Sequence, residues 1–350
     1  MVSPAQFNQS ILKWFDQHGR KNLPWQLDKS PYRVWVSEIM LQQTQVSTVI
    51  GYYNRFMSRF PTLAELANAD EDEVLRHWAG LGYYARARNL HKTAKLILNS
   101  YNGEFPNTHS EIESLPGIGR STAGAILSLS LNQRAPILDG NVKRVLARYH
   151  GIEGWTGHTS TAKELWHWAE VYTPATRFSD YTQAMMDLGA TLCTRSKPNC
   201  PQCPINSTCR AYIENKTKIL PTPKPKKTLP VKHRWLLHIE NNDQEIFLEK
   251  RPPSGIWGSL WSLPEAPFEL DDASIIHHCR EHLSLECRVN SHEESFKHTF
   301  SHYHLVLHPV KLKYLSRLPC ISEPSESTWL KGKHEYGLPA PIEIYLQNIQ

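Results

Sequence analysis

Cys193, Cys200, Cys203 and Cys209 place four thiols within 17 residues, spaced Cys-x6-Cys-x2-Cys-x5-Cys, and this cluster restricts the fold more than any other feature of the chain. Thiols so crowded do not suit the disulfide framework of a secreted domain. They do suit a metal in a reducing compartment, as a complete tetrahedral set or the ligands of a cubane cluster. A zinc ribbon usually carries two Cys-x2-Cys knuckles and here there is one, which favours an iron–sulfur cluster and leaves zinc as the alternative. Cys279, Cys287 and Cys320 are scattered further along and read as small hydrophobes.

Up to about residue 213 the apolar pattern is helical. Val36, Ile39, Met40, Val46, Ile50 and Tyr53 form one stripe, and Val142, Val145, Leu146 and Tyr149 form another. Pro61, Gly103, Pro106, Pro116 and Gly151 punctuate the segments. Residues 1–213 are therefore expected to be an all-α domain. Residues 214–232 are rich in Pro and Lys and read as a stiff connector. In 233–350, strand-like runs at 235–239, 245–249 and 303–312 and a helix over 271–283 predict an α+β domain. No solenoid-length repeat is present.

The 350 residues carry a formal net charge of only +5, but it is unevenly spread. Up to residue 229 there are 27 Lys and Arg against 18 Asp and Glu, and beyond it 12 against 16. A basic front half fits a polyanionic partner. With no long apolar run and no basic-then-apolar leader at the N-terminus, a cytoplasmic location and no membrane partner are expected.

Residues 115–124 read Leu-Pro-Gly-Ile-Gly-Arg-Ser-Thr-Ala-Gly. Gly117 and Gly119 can adopt positive φ and let backbone N–H groups approach a phosphate, and Ser121 and Thr122 open a helix whose dipole favours the same anion. An ordinary structural turn is the alternative. Asp139, two residues before a helical Val-Lys-Arg-Val, reads as an N-cap that the helix terminus helps keep ionised. Glu38 lies on the first helix of that apolar stripe, about 100° off it, where an apolar pocket would raise its pKa. Two carboxyl groups in different protonation states suit general acid–base work, one giving a proton and the other holding a charge.

The cysteine spacing, set 54 residues after Asp139, resembles the helix-hairpin-helix DNA glycosylase superfamily that includes endonuclease III. The runs Val-Ser-Glu-Ile-Met-Leu-Gln-Gln-Thr-Gln-Val from Val36 and Gly-Leu-Gly-Tyr-Tyr-Ala-Arg-Ala-Arg-Asn-Leu from Gly80 look like its adenine DNA glycosylases. The resemblance covers nearly the whole chain. It implies a hairpin over about 112–130, one [4Fe-4S] cluster on the four cysteines of the 193–209 loop and no nucleotide cofactor. Arg195 and Lys197 would then be phosphate contacts. It further implies that Glu38 protonates adenine N7 and that Asp139 stabilises the cation, electrostatically or through a transient adduct. Leu41 and Gln43 would enter the base stack, Tyr83 would intercalate beside the partner base, and Trp25, Gln26 and Gln183 would surround a flipped adenine. The expected partner is duplex DNA with adenine opposite 8-oxoguanine or guanine, bound by a monomer of bacterial, nucleoid-associated type.

Arg251-Pro-Pro-Ser-Gly-Ile-Trp-Gly resembles the start of a Nudix fold, without the acidic array that would hold Mg²⁺ for pyrophosphatase chemistry. Phe300, Ser301 and His302 match the family's 8-oxoguanine recognition loop. Strand alternation puts most of His298, His302, His304 and His308 on one face, where a metal is the minor reading. The rivals are a bifunctional endonuclease III-like glycosylase/lyase, which needs an amine nucleophile where this chain has Ser121, a noncatalytic Fe–S DNA-binding protein, and a Nudix hydrolase.

Overall fold

The computed structural model describes residues 2–225, 228–319, 326–331 and 336–349. Cys320 and the connector lysines Lys226 and Lys227 lie outside the described residues. Contacts divide the chain into two compact units, Met1–Asn68 with Asn89–Lys226, and Ala69–Arg88 with Lys227–Gln350.

The helices of the first part of the chain run α1 (Pro4–His18), α2 (Pro24–Leu27), α3 (Pro31–Leu41), α4 (Val46–Arg59), α5 (Leu63–Asn68), α6 (Glu71–Trp78) and α7 (Ala85–Ser100). They continue as α8 (His109–Ser114), α9 (Arg120–Ser130), α10 (Gly140–His150), α11 (Thr159–Tyr172), α12 (Phe178–Thr191) and α13 (Arg210–Ile213). Local chemistry sets many starts. Ser3 caps α1 in a reciprocal box with Gln6, with Pro4 in the first turn, and Ser30 caps α3 by accepting the Arg33 N–H, with Pro31 in its first turn. One core joins α1, α10, α11 and α12: Phe7 meets Tyr149 at 4.7 Å edge-on, and Ile11, Val142, Leu146, Leu165 and Leu188 fill the space around them. Each such side chain contributes about 1.5–3 kcal/mol by burial, so the N-terminus of α10 and the face of α12 are held on a rigid base.

The stripe expected to run unbroken from Val36 to Tyr53 is split between α3 and α4. Gln43 takes a left-handed φ of 58°, which no helix interior accommodates, and the chain turns there.

In the second unit, β1 (Val231–Glu240), β2 (Ile246–Lys250), β3 (Trp261–Ser262), β4 (Glu265–Pro267), β5 (Leu285–His292), β6 (Phe296–Thr299), β7 (His304–Arg317) and β8 (Ser327–Leu330) build one sheet of path β3-β2-β1-β7-β5. The strand β1 runs parallel to β7, and the other pairings are antiparallel. Helix α14 (Asp272–Leu283), capped by Asp271, packs Ile275, Cys279 and Leu283 on the sheet, and α15 (Ala340–Asn348) closes the described chain. The expected helix and strands are therefore present.

Residues 69–88 were expected within the helical domain, yet they cluster with the second unit. Asp72 bonds Lys250 at 3.0 Å and the Trp261 indole at 3.3 Å, and Arg88 donates to the Gly258 carbonyl at 2.5 Å. These pairings join residues far apart in sequence and leave no mark on local periodicity. Among the described residues no helix is long and apolar enough to cross a membrane.

Candidate active site

A cleft of about 890 Å³ lies within the first unit, and Glu38 from α3 and Asp139 from the start of α10 both line it. Glu38 sits deep among protein atoms while keeping surface open to the cleft. Burial, reinforced by the charge of Asp139, pushes its carboxyl up to about 8. Glu38 is therefore neutral at neutral pH and can give up a proton.

Asp139 caps α10: Oδ1 accepts from the Val142 N–H at 2.8 Å and Oδ2 from the Asn141 side-chain amide at 3.1 Å. Each carboxylate oxygen has a donor, so the group is oriented. The helix terminus was expected to help keep it ionised, but burial outweighs that and moves its pKa above the ordinary value, while Val142, Asn141 and Arg144 pull the other way. Both carboxyls are shifted upward. Only for Glu38 do no hydrogen bonds counter the burial.

Trp25, Gln26, Leu41, Gln43, Ser121, Gln183 and Arg195 line the same cleft. Trp25 is buried edge-on against Tyr53 at 5.4 Å. The two glutamines are committed in opposite senses. Gln26 accepts the Leu23 N–H at its amide oxygen, 3.1 Å, whereas Gln183 donates its amide nitrogen to Asp187 at 2.9 Å. A donor of Gln26 and an acceptor of Gln183 remain for a ligand.

Asp187 and Arg20 were not foreseen from the sequence. Asp187, fully buried on α12, accepts from the Arg20 backbone at 2.8 Å and from its guanidinium at 2.6 and 2.9 Å, in addition to Gln183. An Asp one turn beyond Gln183 on a buried helical face was the available signal.

Ser121 accepts the Leu138 N–H at 2.9 Å, tying the start of α9 to the residue before Asp139. Gly117 has φ +80°, and a Cβ there would lie 2.8 Å from Asn89 Cβ, so both its conformation and its space demand glycine. Gly119 departs from expectation: it caps α9 with an ordinary φ of −99° and open space where a side chain would go.

The four clustered cysteines line one small pocket with Arg148, Leu188 and Ile205. Burial raises the thiols of Cys200, Cys203 and Cys209, that of Cys203 to about 12, and the neighbouring thiols add to it. Four thiols lining one apolar pocket suit a cationic centre that would hold them as thiolates. Among the described residues no three Cys, His, Asp or Glu side chains converge as the ligands of a single ion.

Helix α10 connects this loop to Asp139. Arg144 donates to the carbonyls of Cys193 at 2.6 Å and Gly189 at 2.7 Å, and buried Arg148 donates to those of Thr194 at 2.7 Å and Arg195 at 3.0 Å. Arg195 and Lys197 are exposed on the loop so held.

The remaining candidates lie elsewhere. Tyr83, in the second unit, is 55% exposed with a left-handed φ of 51°, and Arg86 lies over its ring at 5.5 Å. Phe300, Ser301 and His302 occupy the turn between β6 and β7, closed by Phe300 N–H to the Tyr303 carbonyl at 2.9 Å. Of the histidines expected mostly on one strand face, His304 and His308 share a face of β7, whereas His298 is on β6 and His302 is in the turn. The register pairs His298 with Leu305 and not with another histidine.

Residues 36–170 match the model of the HhH-GPD superfamily of base excision DNA repair proteins, and residues 235–348 match that of the NUDIX domain. The adenine DNA glycosylase of Buchnera aphidicola subsp. Acyrthosiphon pisum (strain APS) is 43% identical over 98% of this chain and 97% of its own. The adenine DNA glycosylase of Homo sapiens is 34% identical over 93% of this chain and 70% of its own. Among solved structures, a thermostable thymine-DNA glycosylase aligns with TM-score 0.55 and 28% identity over 60% of this chain and 97% of its own. A trapped endonuclease III–DNA covalent intermediate aligns with TM-score 0.52 over 61% of this chain and 99% of its own, and at 22% identity that likeness is one of fold.

Proposed function

The chain belongs to the adenine DNA glycosylases of the HhH-GPD base excision repair superfamily, and from that membership we propose that it hydrolyses the N-glycosidic bond of adenine opposite 8-oxoguanine or guanine in duplex DNA, with Glu38 and Asp139 as the catalytic pair. The observation that carries the reading is a neutral Glu38 beside a hydrogen-bonded Asp139 on one cleft. Adenine within a duplex is out of reach of both, so it is flipped, and a mispaired adenine costs less to extrude. The Gln26 donor and the Gln183 acceptor complement the acceptor nitrogens and the N6 amino group on the adenine edge. Leu41 and Gln43 hold the stack apart, and Tyr83 enters beside the partner base.

Glu38 donates its proton to N7 as the C1′–N9 bond breaks, so adenine leaves neutral. Asp139 faces the oxocarbenium ion as a carboxylate, either as a counter-charge or by forming an O–C1′ bond that water then cleaves. The Glu38 carboxylate takes a proton from the attacking water and is restored for the next cycle. The backbone around Gly117 and Gly119, with Arg195 and Lys197, grips phosphates. Cys193, Cys200, Cys203 and Cys209 hold one [4Fe-4S] cluster, which when bound keeps the 193–209 loop ordered. Protein purified anaerobically should absorb in the visible region and bleach on oxidation, and a colourless zinc-loaded protein would overturn the cluster.

Single-turnover assays on duplexes with adenine opposite 8-oxoguanine, guanine and thymine test the substrate. Release is expected to be fastest opposite 8-oxoguanine and slowest opposite thymine, and equal rates would overturn the mispair assignment. Read without alkali, the assay also separates hydrolysis from lyase chemistry. Ser121 has no amine for a Schiff base, so strands should stay intact until alkali is added. A Ser121→Lys protein should gain strand cleavage and a borohydride-trapped adduct. Its absence would show that position 121 does not reach C1′.

A further inference from the structure

The motif Arg251-Pro-Pro-Ser-Gly-Ile-Trp-Gly follows β2 of the Nudix-like domain but has no part in the chemistry derived above, and its surroundings give it another task. Trp257 is only 8% exposed and holds a left-handed φ of 55°, a conformation that costs energy in a bulky residue and persists only where its surroundings enforce it. Arg251 helps enforce it. Its guanidinium donates to the Ile256 carbonyl at 3.1 Å, pairs with Glu265 at 2.6 Å and lies over the Trp257 ring at 5.7 Å.

The indole also meets Phe300 at 5.3 Å and His298 at 5.7 Å, and these two rings meet each other edge-on at 4.6 Å. Phe300 is the first residue of the four-residue turn and also packs on Tyr303 at 5.1 Å. Ser301 and His302 stand exposed at its tip. The turn leads out of β6, which among the described residues pairs with β7 alone, so on that side it depends on side-chain packing.

We propose that Trp257 is a positioning residue for the 300–303 turn: the Nudix-like segment 251–258 acts as a buttress that presents Ser301 and His302 in one conformation to the base opposite adenine. The inference rests on the proposed base-reading role of that turn. The strained Trp257 backbone is held by Arg251, and its ring limits the excursions of Phe300. Losing the indole therefore weakens discrimination between partner bases and leaves cleavage chemistry alone.

The test uses the full-length protein and three variants, Trp257→Ala, Trp257→Phe and Ser301→Ala. In Trp257→Ala the ratio of single-turnover rates opposite 8-oxoguanine and opposite guanine should fall about three- to tenfold, with the rate opposite guanine unchanged, and Trp257→Phe should restore most of it. NMR of the His298 and His302 ring protons in the free protein supplies a readout independent of DNA, and both should shift in Trp257→Ala. An unchanged ratio and an unmoved His302 signal would overturn the buttress. Equal losses opposite both bases with a lowered melting temperature would overturn it too, as general destabilisation. A moved His302 signal with the rate ratio intact in both Trp257→Ala and Ser301→Ala would leave the buttress standing and overturn instead the base-reading role of the turn.

Discussion

Glu38→Gln protein is expected to release adenine about 10²- to 10⁴-fold more slowly than the parent in single turnover, while still binding mispaired duplex. The amide keeps the shape of the side chain but has no proton for N7. Parental Glu38, pushed up to about 8, should give a rate that falls as pH rises through about 8, and the variant should lose that limb. A pH-independent parental rate between 7 and 9, or rapid release by the variant, would overturn the assignment of Glu38 as the acid. The same group makes stability depend on pH. Its folded pKa lies above the unfolded value of 4.5, so the folded state binds the proton more tightly, and that stabilisation is complete below about 4.5 and is lost as pH rises through about 8. Gln cannot ionise, so the variant should be more stable than the parent at pH 8, by an amount on the order of a few kcal/mol. Denaturant melts at pH 5 and pH 8 measure it, and a variant no more stable at the higher pH would contradict the buried-acid picture.

Asp187→Ala protein is expected to lose about 2–4 kcal/mol of stability, a value set below the full cost of breaking a buried pair because the Arg20 side chain is 26% exposed and can rehydrate. It should also lose activity. Asp187 receives the Gln183 amide and three donors of Arg20 on two oxygens, so its removal frees Gln183 to rotate and strips order from one wall of the cleft. Thermal melts together with single-turnover rates on folded protein separate the two effects. A variant with parental rates would show that Gln183 keeps its orientation without Asp187. Asp187→Asn should fall between them: it preserves volume and one acceptor but turns an amide donor towards Arg20.

What could be read from residues alone follows the range of the forces involved. The helix carrying Val142, Val145, Leu146 and Tyr149 was legible because each apolar residue lies three or four positions from the next, and all four are buried in it. The capping of α10 by Asp139 was legible for the same reason, as it spans only the bond to Val142. The break between α3 and α4 was not. The apolar stripe continues across it, and the left-handed Gln43 that turns the chain is of a type with no strong preference for that conformation.

Local periodicity, caps and cysteine spacing thus determined, by themselves, a helical first part with its thiol-rich loop and an α+β second part, since those signals act over a few residues. Only the tertiary structure decided that Glu38 and Asp139 share a cleft and that burial carries Glu38 to about 8. It alone decided that Asp187 holds Arg20 across 167 positions of chain, and that residues 69–88 pack with the second unit. Desolvation and long-range pairing depend on which segments meet, and no short window of sequence contains that information.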